Sequence, residues 1–319
     1  MLPSSLQTIK HTFDDIRKMR IRGAGRIARA SVKALEEFGT SLDARTSTEF
    51  IVKVKEAGAF LKSARPTAVS LPNAVNYVLM NLDKASQSTS DVLVLKDALK
   101  KYCENFIMRS ESAIERIGLI GSKRIQDGDT VLTHCNSEAA ISIILTAYKQ
   151  KKNIRVFCTE TRPKRQGLLT SSILAREGVD VTLIVDSAVR FYMNKVNDVV
   201  VGADAISVNG AIVNKIGTSM VALVAKEFRS RFIVAAESYK ISPETFFGEL
   251  IPIEERPQEE VVSKDWADRN KGVKIVNPAF DITPSEYVDL IVTEYGVFPP
   301  QGILLLFKEI YGFSDVLDQ

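Results

Sequence analysis

The chain has 319 residues, a formal net charge of +3, 45% hydrophobic residues and 25% charged residues. This composition is ordinary for a soluble globular protein, and the charge balance is too mild to indicate nucleic-acid binding. Three cysteines without close spacing and only two histidines provide neither a disulfide framework nor a zinc site nor a histidine-rich metal centre.

The N-terminal third of the chain predicts helices. Apolar residues recur at helical spacing over residues 16–35, with an interruption at Arg22-Gly23-Ala24-Gly25. Further helical patterns cover residues 47–64, begin near residue 72, and run from about residue 91 to residue 123. Pro66 lies just beyond the second of these patterns, as expected after a helix end. We therefore predict a helical N-terminal domain over residues 1–120.

Beyond residue 123, short apolar runs alternate with amphipathic segments. The predicted strands cover residues 130–133, 154–158, 181–185, 199–201, 232–235 and 290–292, and the helices between them include residues 138–148 and 218–228. Continuous apolar strands that alternate with helices are typical of a parallel sheet covered on both faces. We predict that residues 121–319 form a Rossmann-like α/β domain with a mainly parallel, doubly wound sheet.

The sequence also bears on where the protein resides. Met1 to Lys10 contain no apolar core of a signal peptide, and no apolar run reaches the roughly 18 residues needed to span a bilayer. We expect a cytoplasmic protein with no membrane partner.

Two candidate acid/base residues follow predicted strands, where ligands of open parallel sheets bind. Cys135 lies at the turn from the first strand into a helix, where the helix N-terminus would lower the thiol pKa. The alternative is a small buried hydrophobe. Asp204 follows the fourth strand and fits either an acid whose pKa is raised by apolar surroundings or a capping or turn-forming residue. The pattern leaves both alternatives open for each residue.

Basic and amide side chains follow other strands. The loop over residues 160–167 carries three basic residues and Gln166, which suit a phosphate or a sugar hydroxyl, although a solvated loop is the alternative. Asn214 and Lys215 precede a helix start and indicate an anion site. Lys240 is a further cation at the same edge, and by itself would be a surface lysine.

The N-terminal domain offers two arginine motifs. Arg22-Gly23-Ala24-Gly25 and Arg65-Pro66-Thr67-Ala68 suit contacts to phosphate, although a helix break also explains the glycines. The whole inventory favours proton transfer on a phosphorylated small molecule over hydride transfer or metal-assisted hydrolysis.

These motifs together resemble those of the archaeal ribose-1,5-bisphosphate isomerases. That family shares a superfamily with methylthioribose-1-phosphate isomerases and with the regulatory subunits of eukaryotic translation initiation factor 2B. The resemblance also rests on Thr133-His134-Cys135, Glu160-Thr161-Arg162-Pro163, Gly202-Ala203-Asp204, Asn214-Lys215-Ile216-Gly217-Thr218 and Asn277-Pro278-Ala279-Phe280-Asp281, and it covers nearly the whole chain.

The resemblance implies conversion of α-D-ribose 1,5-bisphosphate to D-ribulose 1,5-bisphosphate in nucleoside (AMP) salvage, without a metal or nucleotide cofactor in the chemistry. It makes Cys135 the proton acceptor and Asp204 the proton donor. A hydride shift between C2 and C1 stays open. The substrate contacts it implies are Arg22, Gly23, Ala24, Gly25, Arg65, Ser137, Glu138, Ala139, Gln166, Asn214, Lys215 and Lys240, with Gln166 taken from the methylthioribose relatives.

Two other functions remain as alternatives. A non-catalytic regulatory subunit would resemble this chain, but such subunits usually lack the cysteine and carry glutamate in place of Asp204. A methylthioribose-1-phosphate isomerase would share the acid/base pair, but a glycine-rich continuation would replace Ser137-Glu138-Ala139. The resemblance further implies AMP as an activator and dimers that assemble into larger oligomers such as hexamers. The apolar residues 298–306 could be buried at such a contact or in the core.

Overall fold

A computed structural model describes residues 4–65 and 67–311 of the chain. The chain divides into two compact units, Met1–Ser112 and Ala113–Gln319. This division falls within the helix that also contains residues 120 and 121, where the sequence placed a domain boundary. That boundary stays a prediction.

The first unit contains α-helices. They are α1 Ser4–Arg17, α2 Ala24–Ser41, α3 Ser47–Lys62, α4 Ser70–Ser86 and the first part of α5 Val92–Gly121. The start of α3 follows from its sequence, because the Thr46 hydroxyl accepts the N–H of Glu49 at 3.2 Å. The break before α2 is also local, since Gly23 adopts a φ of 88°.

The second unit alternates strands and helices. Its strands are β1 Thr130–Thr133, β2 Arg155–Thr159, β3 Asp180–Ile184, β4 Asp198–Gly202, β5 Ala205–Ile206, β6 Ile212–Lys215, β7 Arg231–Ala235, β8 Phe280–Thr283, β9 Leu290–Thr293 and β10 Gly296–Phe298. Its helices are α6 Glu138–Lys149, α7 Gly167–Arg176, α8 Val189–Tyr192, α9 Thr218–Phe228, α10 Lys264–Arg269 and α11 Ile303–Tyr311.

Seven strands form the main sheet, in the order β10-β9-β7-β4-β1-β2-β3. All neighbours pair in parallel except β9 and β10, which are antiparallel. Strands β5, β6 and β8 form a separate antiparallel sheet.

Both faces of the main sheet are buried. In β4, Val199 and Val201 belong to one hydrophobic cluster and Val200 belongs to another. In β7, Phe232 belongs to the cluster of Val199, and Ile233 belongs to the cluster of Val200. Successive strand residues point to opposite faces, so apolar residues at every position place a hydrophobic layer on each side. This arrangement confirms the predicted α/β fold with a helical N-terminal region and a mainly parallel sheet.

The apolar segment near the C-terminus packs partly in the core. Ile303 and Leu306 are buried in the same cluster as Val199, whereas Leu305 is 69% exposed. Core packing therefore accounts for two of the residues that the sequence analysis offered for an oligomer contact. None of the helices described combines the length with the apolar character that spanning a bilayer requires.

Candidate active site

The strand order of the main sheet reverses beside β1. The chain runs from β1 outward to β2 and β3, then returns to form β4 on the other side of β1. In open parallel sheets, the carboxyl ends of two such strands flank the ligand-binding crevice. Cys135 comes shortly after the end of β1, and Asp204 comes shortly after the end of β4. The fold therefore brings the two predicted acid/base residues to the two sides of one crevice.

Cys135 is held by its backbone and by its thiol. Its φ of 71° is left-handed, which is uncommon for a residue other than glycine. The backbone N–H donates to Thr161 Oγ1 at 2.9 Å, and the backbone carbonyl accepts from Thr170 Oγ1 at 2.7 Å. The thiol donates to Gln166 Oε1 at 3.4 Å. Side chains from the loop after β2 and from α7 thus fix the turn that carries the thiol.

The electrostatic surroundings of Cys135 correct one expectation. Burial is the main reason that the pKa of the Cys135 thiol is raised to about 12, and the charges of Asp204 and Asp186 act in the same direction. Lys215 and the backbone N–H of Asn136 lower this pKa, but they do not outweigh burial. The prediction that the nearby helix N-terminus would lower the thiol pKa was wrong, because desolvation of the thiolate is the larger effect. The thiol is therefore neutral at pH 7.

Gln166 reaches the thiol because a glycine follows it. A Cβ at Gly167 would lie 1.7 Å from the backbone oxygen of Thr159, so only glycine fits where α7 begins against the end of β2. The side chain of Gln166 then points toward Cys135.

Asp204 lies half-buried between β4 and β5. Its backbone N–H donates to the carbonyl of Val213 at 2.9 Å, which ties it to the β5–β6 hairpin. Among the described residues, none bonds to its side-chain oxygens. The carboxyl group is therefore available to a substrate.

The start of α6 lies against the end of β4. Ser137 caps α6 by accepting the N–H of Ala140 at 3.3 Å. A Cβ at Gly202 would lie 2.3 Å from Ser137 Oγ, so the absence of a side chain at Gly202 permits this contact. Glu138 and Ala139 form the first turn of α6. These three residues, predicted to contact substrate, therefore lie beside the strand that leads to Asp204.

Lys215 forms no ion pair with a carboxylate among the described residues. Its ammonium lies 4.4 Å from the centroid of the Phe280 ring, and its charge acts on Cys135. Asn214 is buried and donates to Thr218 Oγ1 at 3.0 Å, which fixes the turn that carries Lys215.

A carboxylate binds the backbone N–H groups at the start of α9. Asp281 accepts the backbone N–H of Gly217 at 2.7 Å and that of Ser219 at 3.1 Å. The anion site that the sequence predicts before this helix stays a prediction, and these two N–H groups are already occupied. Burial raises the pKa of Asp281 to about 6, although the two N–H groups lower it. An anion at this turn would therefore rely on Lys215.

Lys240 is buried rather than exposed. Its ammonium lies 2.7 Å from Glu237 Oε2, and its side chain is 7% exposed. The interpretation of Lys240 as a surface lysine was wrong, because the residue lies in a short turn after β7 and pairs with a buried carboxylate. Its role as a substrate contact stays a prediction.

The other basic residues after β2 are also paired. Lys164 lies 3.2 Å from a carboxylate oxygen of Glu260, and Arg165 lies 3.6 Å from one of Glu160. Arg162 donates to the backbone carbonyl of Val261 at 3.3 Å. The contacts of Lys164 and Arg162 join the loop after β2 to the segment before α10. The side chains of Lys164 and Arg165 are 48% and 57% exposed, which agrees with the solvated-loop alternative.

The remaining predicted contacts belong to the first unit. Gly23 immediately precedes α2, and Ala24 and Gly25 are buried at its start. Arg22 is exposed and donates from Nε to the carbonyl of Met19 at 2.7 Å. Arg65 is buried, and Pro66 lies outside the described residues. Their contacts with substrate stay predictions.

Several residues of this site were missed at the sequence level. His134 is buried between Thr159 and Ile216, and Thr161 and Asp186 fix the loop after β2. His134 directly precedes Cys135 in the Thr133-His134-Cys135 motif, and this position was the sequence feature that could have indicated its role. In residues 4–65 and 67–311, no group of three or more histidine, cysteine, aspartate and glutamate residues could hold a metal ion.

Comparison with known proteins identifies one matching family model. It is the Initiation factor 2 subunit family, matched over residues 20–300. The chain is 53% identical over 312 residues to the ribose 1,5-bisphosphate isomerase of Methanocaldococcus jannaschii, covering 98% of each protein.

Solved structures with the same fold include a second enzyme and a translation factor. The chain resembles 5-methylthioribose 1-phosphate isomerase from Pyrococcus horikoshii OT3 with a TM-score of 0.76 and 30% identity, covering 95% of this chain and 88% of that one. It resembles the translation initiation factor eIF-2B of the same organism with a TM-score of 0.77 and 28% identity, covering 92% of this chain and 97% of that one.

Proposed function

The chain belongs to the Initiation factor 2 subunit family, and on that premise we propose that it isomerises α-D-ribose 1,5-bisphosphate to D-ribulose 1,5-bisphosphate. Five archaeal relatives that are 42–53% identical over at least 94% of this chain carry the name ribose 1,5-bisphosphate isomerase. These relatives confirm the prediction that the chain is a sugar-phosphate isomerase.

One observation supports the proposed chemistry most directly. Cys135 and Asp204 follow the two strands at which the sheet order reverses, and the charge of Asp204 acts on the Cys135 thiol. The proposed isomerisation needs one group to take the C2 proton and a second group within hydrogen-bond reach of the ring oxygen to protonate it. A thiol and a carboxyl group on the two sides of a crevice meet this requirement.

The proposed reaction conserves protons in two steps. The Cys135 thiolate takes the C2 proton, the C1–C2 double bond forms, the C1–O4 bond breaks, and protonated Asp204 donates its proton to O4. The C2 hydroxyl then returns a proton to the Asp204 carboxylate as the C2 carbonyl forms, and Cys135 protonates C1. Both side chains end as they began, so no cofactor has to supply or remove a proton or an electron.

The raised pKa of the Cys135 thiol defines what substrate binding must do. The proposed reaction starts from a thiolate, so the thiol must give up its proton before or during catalysis. A cation stabilises the thiolate, and Lys215 already lowers the Cys135 pKa. Lys215 also supplies the charge for binding one phosphate.

From the family resemblance we further propose that the protein acts in AMP and nucleoside salvage in the cytoplasm and uses no metal or nucleotide cofactor in its chemistry. We also propose that it works as a dimer-based homo-oligomer such as a hexamer and is activated by AMP. It has no nucleic-acid or membrane partner.

Turnover of purified protein tests this function. Ribose 1,5-bisphosphate and methylthioribose 1-phosphate are compared as substrates, each with and without AMP. The proposal predicts a higher kcat/KM for ribose 1,5-bisphosphate, and a faster initial rate with AMP. A higher kcat/KM for methylthioribose 1-phosphate would assign the alternative enzyme, and folded protein inactive on both would favour a regulatory subunit.

A further inference from the structure

A run of hydrogen bonds connects the backbone of Cys135 with the loop before α9. The Cys135 N–H donates to Thr161 Oγ1 at 2.9 Å, and the Thr161 and Thr159 hydroxyl oxygens lie 3.1 Å apart. Thr159 Oγ1 lies 2.7 Å from His134 Nδ1, and His134 Nε2 lies 2.9 Å from the carbonyl oxygen of Ile216. The two threonines and the histidine are each at most 2% exposed.

The chemistry of the two ends sets the direction of the hydrogen bonds. A carbonyl oxygen only accepts, so His134 carries a hydrogen on Nε2. Burial lowers the pKa of His134, so the ring is neutral and Nδ1 accepts a hydrogen from Thr159. The Thr159 oxygen then accepts from Thr161, whose own oxygen accepts the Cys135 N–H. Every donor points from Cys135 toward Ile216.

Neighbouring groups restrict the position of this run at both ends. A Cβ at Gly217 would lie 3.1 Å from His134 Cε1, so glycine lets the imidazole approach the loop closely. Asp186 accepts the backbone N–H groups of Thr161 and Arg162 at 2.7 Å each, which holds the Thr161 hydroxyl under Cys135. The charged groups that act on the imidazole are Asp186 and Lys215.

We propose that His134 is a positioning residue which, through Thr159 and Thr161, holds the left-handed backbone of Cys135 and aims its thiol into the crevice. The same ring contacts the carbonyl of Ile216, the residue after Lys215, so it fixes the spacing between the proton acceptor and the phosphate-binding cation. This inference rests on the proposed function for its kinetic consequence, but the hydrogen-bond run itself is testable without any substrate.

Thr159→Val tests the kinetic consequence, because it removes the central hydroxyl and keeps the side-chain shape. Small misplacements of a reacting group cost up to about 100-fold in rate. We expect kcat to fall by about this factor with little change in KM, and Thr159→Ser to retain most of the parent kcat. Thr283→Val is the matched control, since the buried Thr283 hydroxyl has no hydrogen-bond partner among the described residues.

The imidazole nitrogen resonances test the run in the substrate-free protein. The chain has only two histidines, so a His11→Gln variant assigns the spectrum of His134. The proposal predicts a neutral His134 ring with its hydrogen on Nε2, unchanged between pH 6 and pH 8 in ¹⁵N-detected spectra. A hydrogen on Nδ1 at pH 7, in either the neutral or the protonated ring, would overturn the proposed direction.

The two measurements separate the possible failures. Parent protein that turns over no substrate contradicts the proposed function, and the nitrogen spectrum still decides the hydrogen-bond run. Active parent protein with an equally active Thr159→Val variant contradicts the positioning role of His134 alone. A loss of kcat in Thr159→Val that Thr159→Ser does not restore would assign the loss to packing and also overturn it.

Discussion

The Cys135 thiol donates to the amide oxygen of Gln166 at 3.4 Å, although the two residues follow different strands of the sheet. Gln166 is thereby placed at the reacting atom of the proposed proton acceptor. A thiol that donates to an amide is held as a neutral group, and the same amide can turn its N–H₂ toward a thiolate. Gln166 is thus suited to stabilise either protonation state of Cys135.

Replacing Gln166 tests this contact. Gln166→Met removes the acceptor and keeps the side-chain length, so we expect kcat to fall about tenfold, which corresponds to roughly one hydrogen bond. Gln150→Met is the control, because Gln150 bonds to Ser122 at the other end of α6. Equal kcat values in the Gln166 variant and the parent would show that the amide plays no part.

The protonation state of Cys135 makes a prediction about pH. With a pKa of about 12, the thiolate fraction rises with pH throughout the range in which the protein is stable. Alkylation of Cys135 by iodoacetamide should therefore accelerate about tenfold per pH unit from pH 6 to pH 9 without a plateau. Mass spectrometry locates the modified residue, and Cys135→Ser gives the background. A rate that levels off below pH 8 would contradict the raised pKa.

The contact between Gly202 and Ser137 predicts a cost for a small substitution. The new Cβ of Gly202→Ala would overlap Ser137 Oγ and Cβ, at 2.3 and 2.5 Å, and push the start of α6 away from β4. We expect a loss of about 1–3 kcal/mol in the free energy of unfolding, together with reduced activity. Gly272→Ala is the matched control, because its Cβ would meet nothing within 4 Å. Equal denaturation midpoints for the two variants would count against this contact.

A buried ion pair at the amino ends of β4 and β7, away from the candidate site, predicts an effect on stability alone. Arg231 donates to both carboxylate oxygens of Asp198, at 2.7 and 2.9 Å, and Asp198 is fully buried. Arg231→Met leaves this carboxylate without its partner and should lower the free energy of unfolding by about 3 kcal/mol.

The double variant Asp198→Asn with Arg231→Met is the control for that pair. It should recover part of the loss, because the fully buried charge of Asp198 is removed as well. The recovery should be incomplete, because buried Asp129 also loses its contact with Arg231 at 3.8 Å. Urea denaturation measures both variants. A double variant less stable than Arg231→Met alone would show that the pair contributes more than compensation of the buried charge.

The main sheet was predictable because its strands are buried on both faces. Every predicted strand lies within one residue of the observed strand, since runs such as Val199–Val201 are apolar at each position. The three strands of the small sheet were not predicted, because Ala205–Ile206 has only two residues and Phe280–Thr283 alternates apolar and polar residues as an edge strand does. Strand β10 is too short to give a pattern.

The candidate site was predictable only where chemistry and position coincide. Cys135 and Asp204 stood out because each follows a buried strand. The pairing of Lys240 with Glu237, the capping of α9 by Asp281 and the burial of the thiol depend on three-dimensional contacts. No local sequence pattern predicts such contacts. The roles of Thr159 and Thr161 in supporting His134 could not be predicted for the same reason.

The most direct test follows D-ribulose 1,5-bisphosphate formed from α-D-ribose 1,5-bisphosphate by the parent protein and by the Cys135→Ser and Asp204→Asn variants. Circular dichroism establishes that all three are folded. Positioned acid/base groups contribute about 10²–10⁴-fold in rate, so the account predicts turnover by the parent and a loss of at least 10²-fold in each variant. Folded variants that retain the parent rate would contradict the roles given to Cys135 and Asp204.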